Sequence, residues 1–284
     1  EFGLPEEKNM PTQKGRGAGE VMFGVTPKLL EVVWEEHIPI LVTWMGNPAP
    51  VIPEAHAHGM KVISMVGTTK HACRCVDLGV DILLATAVDA GGHVGPIGTM
   101  AFIPLVVDVA GSTPVMAAGG IMDGRGLVAA LALGAVGVNG FTAFLLCPET
   151  EITRLPIPMA PGEPLEPFWV ESYKKKYLEA DESDTTVTWA IMGGIERFVR
   201  ERSMAKAWTD AWQRPDAPKP LPFPLQSMLT GVFMRAAYEA HKPEFIPVSA
   251  GQGVGILKEV KSARQVVLDI VEQARQILEQ WGLR

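Results

Sequence analysis

The feature that most constrains this chain is a rhythm of strands that are apolar on both faces. Five short runs, "IPILVT" (38–43), "KVISMV" (61–66), "VDILLAT" (80–86), "TPVMAAGG" (113–120) and "VGVNG" (136–140), do not alternate apolar with polar residues. Strands of that kind belong to parallel sheets covered on each side. Before and between them stand segments that read as helices: "LLEVVWEE", "VIPEAHAHG", "TKHACRCVDLG", "MAFIPLVVDVAG" and "GRGLVAALALGA". Gly59, Gly79, Gly111 and Gly134 each sit just past one of these segments, where a left-handed cap is wanted. Alternating strands and helices predict an α/β fold with a parallel sheet or barrel. The strands recur about every 20 residues, except across "VDAGGHVGPIGTM" (88–100). That extra length follows the end of a strand, which is the ligand-binding side of parallel α/β folds.

After Glu149 the rhythm stops. Five prolines between 152 and 167 mark a passage into another substructure. The stretches 168–180, 185–212 and 227–241 read as helices, around a second proline cluster at 214–226. "SARQ" (262–265) is a capping box that opens a final helix, with Ser262 as cap. Val266, Val267, Ile270, Ala274, Ile277, Leu278 and Trp281 form its apolar face, which predicts packing on the α/β body. The expected division is a flexible segment 1–27, a βα body 28–150, a helical lid domain 151–245, and a return segment with the C-terminal helix, 246–284.

A chain of 284 residues with 47% apolar side chains can bury a sizeable core. A net charge of -7 without a dense basic stripe argues against nucleic acid as the main partner. Cys73 and Cys75 diverge on a helix and Cys147 stands alone, so neither a disulfide framework nor a zinc site is suggested. That fits a reducing, cytoplasmic setting. No run of about 18 apolar residues spans a bilayer. "EFGLPEEKNM" lacks the form of a signal peptide and does not begin with Met, which suggests a start inside a longer reading frame. "KGRGAGE" (14–20) lacks the Gly-Lys-Ser/Thr of a phosphate loop and reads as flexible.

Three glycine-rich loops close strands: Gly91-Gly92-His93, Gly119-Gly120 and Asn139-Gly140-Phe141-Thr142. Small residues let backbone amides approach a ligand, and helix N-termini favour anions. Two such loops on consecutive strands suit a phosphate. His93 is either a base facing the ligand or a solvated loop histidine. Asp89 either orients that imidazole or satisfies loop amides. Asp123 reads as the cap of the helix from Gly124. His56 and His58 point to different sides of a helix, so no metal site is expected. "GQGVG" (251–255) lacks dinucleotide spacing and reads as a turn.

"DAGGHVGPIGTMAFIPLVVD", "PVMAAGGIMDGRGLVAALALGAVGV" and "FLLCPE" resemble the nitronate monooxygenase family, formerly 2-nitropropane dioxygenases. The likeness runs from about residue 20 to the end and includes "RSMAKAWTDAW", "PLPFPLQSML" and "SAGQGVGIL". It implies a TIM-barrel FMN enzyme with a helical second domain. By motif, His93 matches the catalytic histidine, Gly91 and Gly92 the loop beside the flavin, Gly119 and Gly120 the phosphate loop after the seventh strand, and Gly140, Phe141 and Thr142 the loop after the eighth.

Three departures stand out. Thr86 and Ala87 replace the family's Gln-Gly, and Phe141-Thr142-Ala143-Phe144 replaces its Gly-Thr-Arg-Phe. The five strands match the fourth to eighth of the barrel, and the first three have no counterpart before Ile38. The expectation is therefore a barrel portion with two open edges: a fragment, an incomplete product, or a chain that needs a partner. The implied activity is oxidation of alkyl nitronates or nitroalkanes by oxygen to a carbonyl compound and nitrite. The expected partners are small molecules, with a homo-oligomer left open. Two alternatives stay open: an NADH-dependent flavin reductase of quinones or enoyl thioesters, and a truncated, inactive member or interaction module.

Overall fold

The computed structural model describes residues 26–150, 167–199 and 205–283. The N-terminal segment with "KGRGAGE" and the proline-rich passage 151–166 lie outside them. The first body runs α1 (Thr26–Glu35), β1 (Ile40–Thr43), α2 (Ile52–Ala57), β2 (Lys61–Val66), α3 (Thr69–Asp77) and β3 (Ile82–Thr86). After β4 (Gly92–His93) come α4 (Thr99–Ala110), β5 (Val115–Ala118), α5 (Gly124–Ala132) and β6 (Gly137–Asn139).

The expected α/β arrangement is present. Five strands form one sheet in the order β1-β2-β3-β5-β6, and every pairing is parallel. The central strands β3 and β5 are buried nearly throughout, which is why they carry no polar alternation. Val62, Leu83, Phe102, Ile103 and Val106 are fully buried in its core. Each large side chain buried this way contributes about 1.5–3 kcal/mol. The four cap glycines all take positive φ, as their positions after the helices require. The sheet is open: among the described residues its edges β1 and β6 pair no further. Ile40 and Val42 on β1 stay 46% and 52% exposed.

β4 leaves this sheet for a second one. It pairs antiparallel with β8 (Glu196–Val199), which pairs antiparallel with β7 (Thr185–Thr188). The expectation of helix from 185 is therefore corrected over 185–199, which is a hairpin. Thr185-Thr186-Val187-Thr188 is an unbroken β-branched run, and such residues favour strands. The helices of this part are α6 (Pro167–Glu179), α7 (Ala205–Trp212) and α8 (Leu225–Glu239). Trp169, Tyr173, Ile191, Phe198, Met234 and Ile246 make this second core. The buried Lys176 ammonium donates to the Pro243 and Ile246 carbonyls and joins α6 to the return segment. Its burial pulls its pKa down to about 8.

The last helix, α9 (Ala263–Gln280), starts as expected, with Ser262 Oγ accepting from the Gln265 amide at 3.2 Å. It packs on α5, where Gln273 Oε1 accepts from the Gly124 amide at 3.1 Å and Ala274 is buried. Val267 and Trp281, expected on the packing face, are instead 48% and 63% exposed. Among the described residues no helix is long and apolar enough to cross a membrane.

Candidate active site

The loop after β3 is fixed from both bodies. Asp89 Oδ2 accepts from the Thr99 amide at 2.7 Å and from Thr99 Oγ1 at 2.6 Å, so it caps α4. Of its two open roles, the structure gives it the backbone one, at the Thr99 amide, and no contact with the imidazole is among its hydrogen bonds. Thr99 Oγ1 also reaches the Gly119 carbonyl at 3.1 Å and ties the first glycine loop to the second. Gly91 lies against the return segment. A Cβ there would sit 2.6 Å from Ala250 C and 2.7 Å from Gly251 N. Only glycine allows that approach.

His93 reaches its position as a strand residue, paired in register with Glu196, while Gly92 pairs with Arg197. Arg197 Nε donates to the Val88 carbonyl at 2.8 Å and Nη1 to Thr185 Oγ1 at 2.9 Å, clamping the loop on the hairpin. His93 Nε2 lies 2.6 Å from Glu196 Oε1, with the two side chains 18% and 3% exposed. The contact is a close charge pair bent off the line of a hydrogen bond, and Glu196 Oε2 is buried with no partner. Burial pushes the Glu196 carboxyl up, and the imidazole draws it partly back. The imidazole also meets two aromatic rings edge-on, Trp44 at 5.3 Å and Phe223 at 5.4 Å between centroids. Trp44 follows the edge strand β1, and Phe223 precedes α8, so both bodies wall the imidazole.

The second loop forms a cavity of about 340 Å³, lined among others by Asp89, Thr99, Gly119, Gly120, Gln252 and Gly253. Gly119 and Gly120 have φ of 130 and 67, a backbone conformation that residues with a side chain rarely adopt. Among the described residues the amides of Gly119, Gly120, Ile121 and Met122 donate to no protein acceptor. The N-terminus of α5 is different. Asp123 caps it, as expected, by accepting from the Arg125 and Gly126 amides. Gln273 takes the Gly124 amide. An anion here would be held by the loop and not by the helix end.

The third loop lies apart from that cavity. Thr142 is buried and its Oγ1 accepts from the Gly251 amide at 3.0 Å. Phe141 is 59% exposed. Neither residue, nor Gly140 or His93, lines the 340 Å³ cavity. His56 bonds Asp81 at 2.8 Å, and His58 bonds Glu54 and stacks on Trp34. Sequence reasoning missed Glu196, Arg197, Trp44, Phe223 and Gln252. A signal existed for the first two: they are adjacent charges inside the apolar run "AIMGGIERFV" (190–199), which is the mark of a buried polar pair.

The family model described as nitronate monooxygenase matches residues 9–157. Rv1533 of Mycobacterium tuberculosis, named as a candidate monooxygenase, is 38% identical over 283 residues, 96% of this chain and 68% of that protein. A probable nitronate monooxygenase of Staphylococcus saprophyticus is 30% identical over 261 residues, 88% of this chain and 66% of that one. The chain thus spans about two thirds of the length of these relatives. Among solved structures, FabK from Thermotoga maritima superposes with a TM-score of 0.70 at 29% identity, covering 90% of this chain and 74% of FabK. A nitroalkane oxidase from Streptomyces ansochromogenes gives 0.69 at 25% identity, covering 88% and 68%.

Proposed function

The chain belongs to the nitronate monooxygenase family, and from that membership we propose that it oxidises alkyl nitronates, with FMN and oxygen, to a carbonyl compound and nitrite. The residues fit the cofactor at one point in particular. The amides of Gly119, Gly120, Ile121 and Met122, unpaired among the described residues and opened by two positive-φ glycines, suit a phosphate monoester. Gly119 and Gly120 would hold that phosphate, and Gly91 and Gly92 would lie beside the ring. FMN supplies the redox centre when it is bound. The chain's own residues bind and orient the substrate and move its proton.

The observation that carries the reading is the His93 imidazole, held by the buried Glu196 carboxylate and walled by Trp44 and Phe223. A histidine so fixed either removes the acidic α-proton of a nitroalkane or hydrogen-bonds the nitro oxygens of a nitronate. Phe141, the bulky departure from the family loop, turns out to solvent and leaves the Gly119 cradle free. The nitroalkane oxidase neighbour supports the same substrate class. The reading is tested on the purified chain reconstituted with FMN. Ethyl nitronate under air is expected to yield nitrite, and heat is expected to release FMN. A chain that retains no flavin, or a flavin-loaded chain that makes no nitrite, contradicts it.

A further inference from the structure

We propose that Glu196 is the positioning residue that makes His93 a base, so that this site takes neutral nitroalkanes as well as preformed nitronates. The inference rests on the nitronate reading above and deepens it.

Three observations carry it. First, the two residues face each other in strand register, and Glu196 Oε1 is 2.6 Å from Nε2. Second, the carboxylate is buried and, among the described residues, has no other charge partner. Its neighbour Arg197 is engaged with Val88 and Thr185, and Glu196 Oε2 has no partner at all. A buried carboxylate is tolerated only beside a compensating charge or N–H. Here that group is the imidazole, whose Nε2 is the ring nitrogen that faces Oε1, so the Nε2–H tautomer is the one the carboxylate favours. Third, no described residue hydrogen-bonds Nδ1, so the free lone pair sits on the nitrogen turned away from Glu196. Fixing one nitrogen of histidine by a carboxylate sets which nitrogen is basic.

The proton step balances without another reagent. The Cα–H bond of the nitroalkane breaks, its proton goes to His93 Nδ1, and its electron pair moves onto the nitro group to give the nitronate. The imidazolium that forms is neutralised by Glu196. When the ring is neutral, the dyad carries one negative charge, which raises the preference for a neutral nitroalkane relative to an anionic nitronate without closing the site to either.

Two measurements test this. The ratio of kcat/KM for nitroethane to that for ethyl nitronate is compared between the FMN-loaded chain and its Glu196→Gln and Glu196→Asp variants. The ratio should fall about 10-fold or more in Glu196→Gln, and Glu196→Asp should recover part of it. A merely structural role would lower both substrates together and leave the ratio unchanged, and that result overturns the proposal. Independently of turnover, ¹⁵N NMR of the His93 ring should show the Nε2–H tautomer in the unsubstituted chain, and an Nδ1–H tautomer overturns the proposal. Should the chain oxidise neither substrate, the nitronate reading falls while the tautomer still decides the role of Glu196.

Discussion

His93 and Glu196 stand opposite each other on antiparallel strands that belong to different parts of the chain, and their side chains meet at 2.6 Å. The pairing gives the Gly-His loop a second purpose. The glycines let the chain turn out of the parallel sheet and become the edge strand of another. The catalytic candidate is thus positioned by backbone pairing, which is more rigid than a free loop.

Replacing His93 by Asn removes the base while keeping a polar, hydrogen-bonding side chain. Nitroalkane turnover is expected to fall about 10²–10⁴-fold. FMN content, read from the absorbance of the purified protein, should not change, because His93 does not line the cavity at Gly119 and Gly120. Unchanged turnover would remove His93 from the mechanism.

Gly91→Ala places a methyl group 2.6 Å from Ala250 C, where backbone and not a flexible side chain must give way. Overpacking of this kind costs about 1–3 kcal/mol. The midpoint of urea unfolding should fall accordingly, and an unchanged midpoint would show that the return segment is not held against the loop.

Arg197→Met deletes the donors to Val88 and Thr185 while keeping the stem. Two partly buried acceptors lose their partner, at about 1–3 kcal/mol. Hydrogen exchange of the Val94 amide, bonded to the Ile195 carbonyl at 3.0 Å, should accelerate as the strand pairing loosens.

Asp81 reports on acid stability. Burial would raise its pKa, but hydrogen bonds from Lys61, the Val62 amide and His56 outweigh that and hold it down to about 2. The folded value lies below the unfolded value of about 3.9. The contribution is therefore complete above pH about 4 and is lost as pH falls toward about 2. Asp81→Asn should flatten the stability profile over that window and cost about 1–2 kcal/mol at neutral pH. An acid-unfolding profile with its slope intact contradicts this.

Much of the α/β body was legible because its signals are local. Both-face apolar strands, cap glycines, and the Asp123 and Ser262 caps each follow from a few adjacent residues. The hairpin at 185–199 was less legible, since Ala190 to Met192 and Phe198-Val199 also suit a helix and only Thr185 to Thr188 speak for a strand. The site was half legible. His93 and the glycines carry their own chemistry in their neighbours. Glu196 does not, because its meaning comes from a strand pairing across about a hundred residues. Asp89 was the nearer carboxylate in sequence, yet the turn of the loop commits it to Thr99.

Which molecule reduces the flavin decides between a nitronate oxidase and a flavin reductase. The FMN-loaded chain is mixed without oxygen against ethyl nitronate and, separately, against NADH, and flavin absorbance is followed by stopped flow. Rapid loss of oxidised flavin with ethyl nitronate and none with NADH is the expected result. Rapid loss with NADH and none with the nitronate would contradict it and make the protein a flavin reductase.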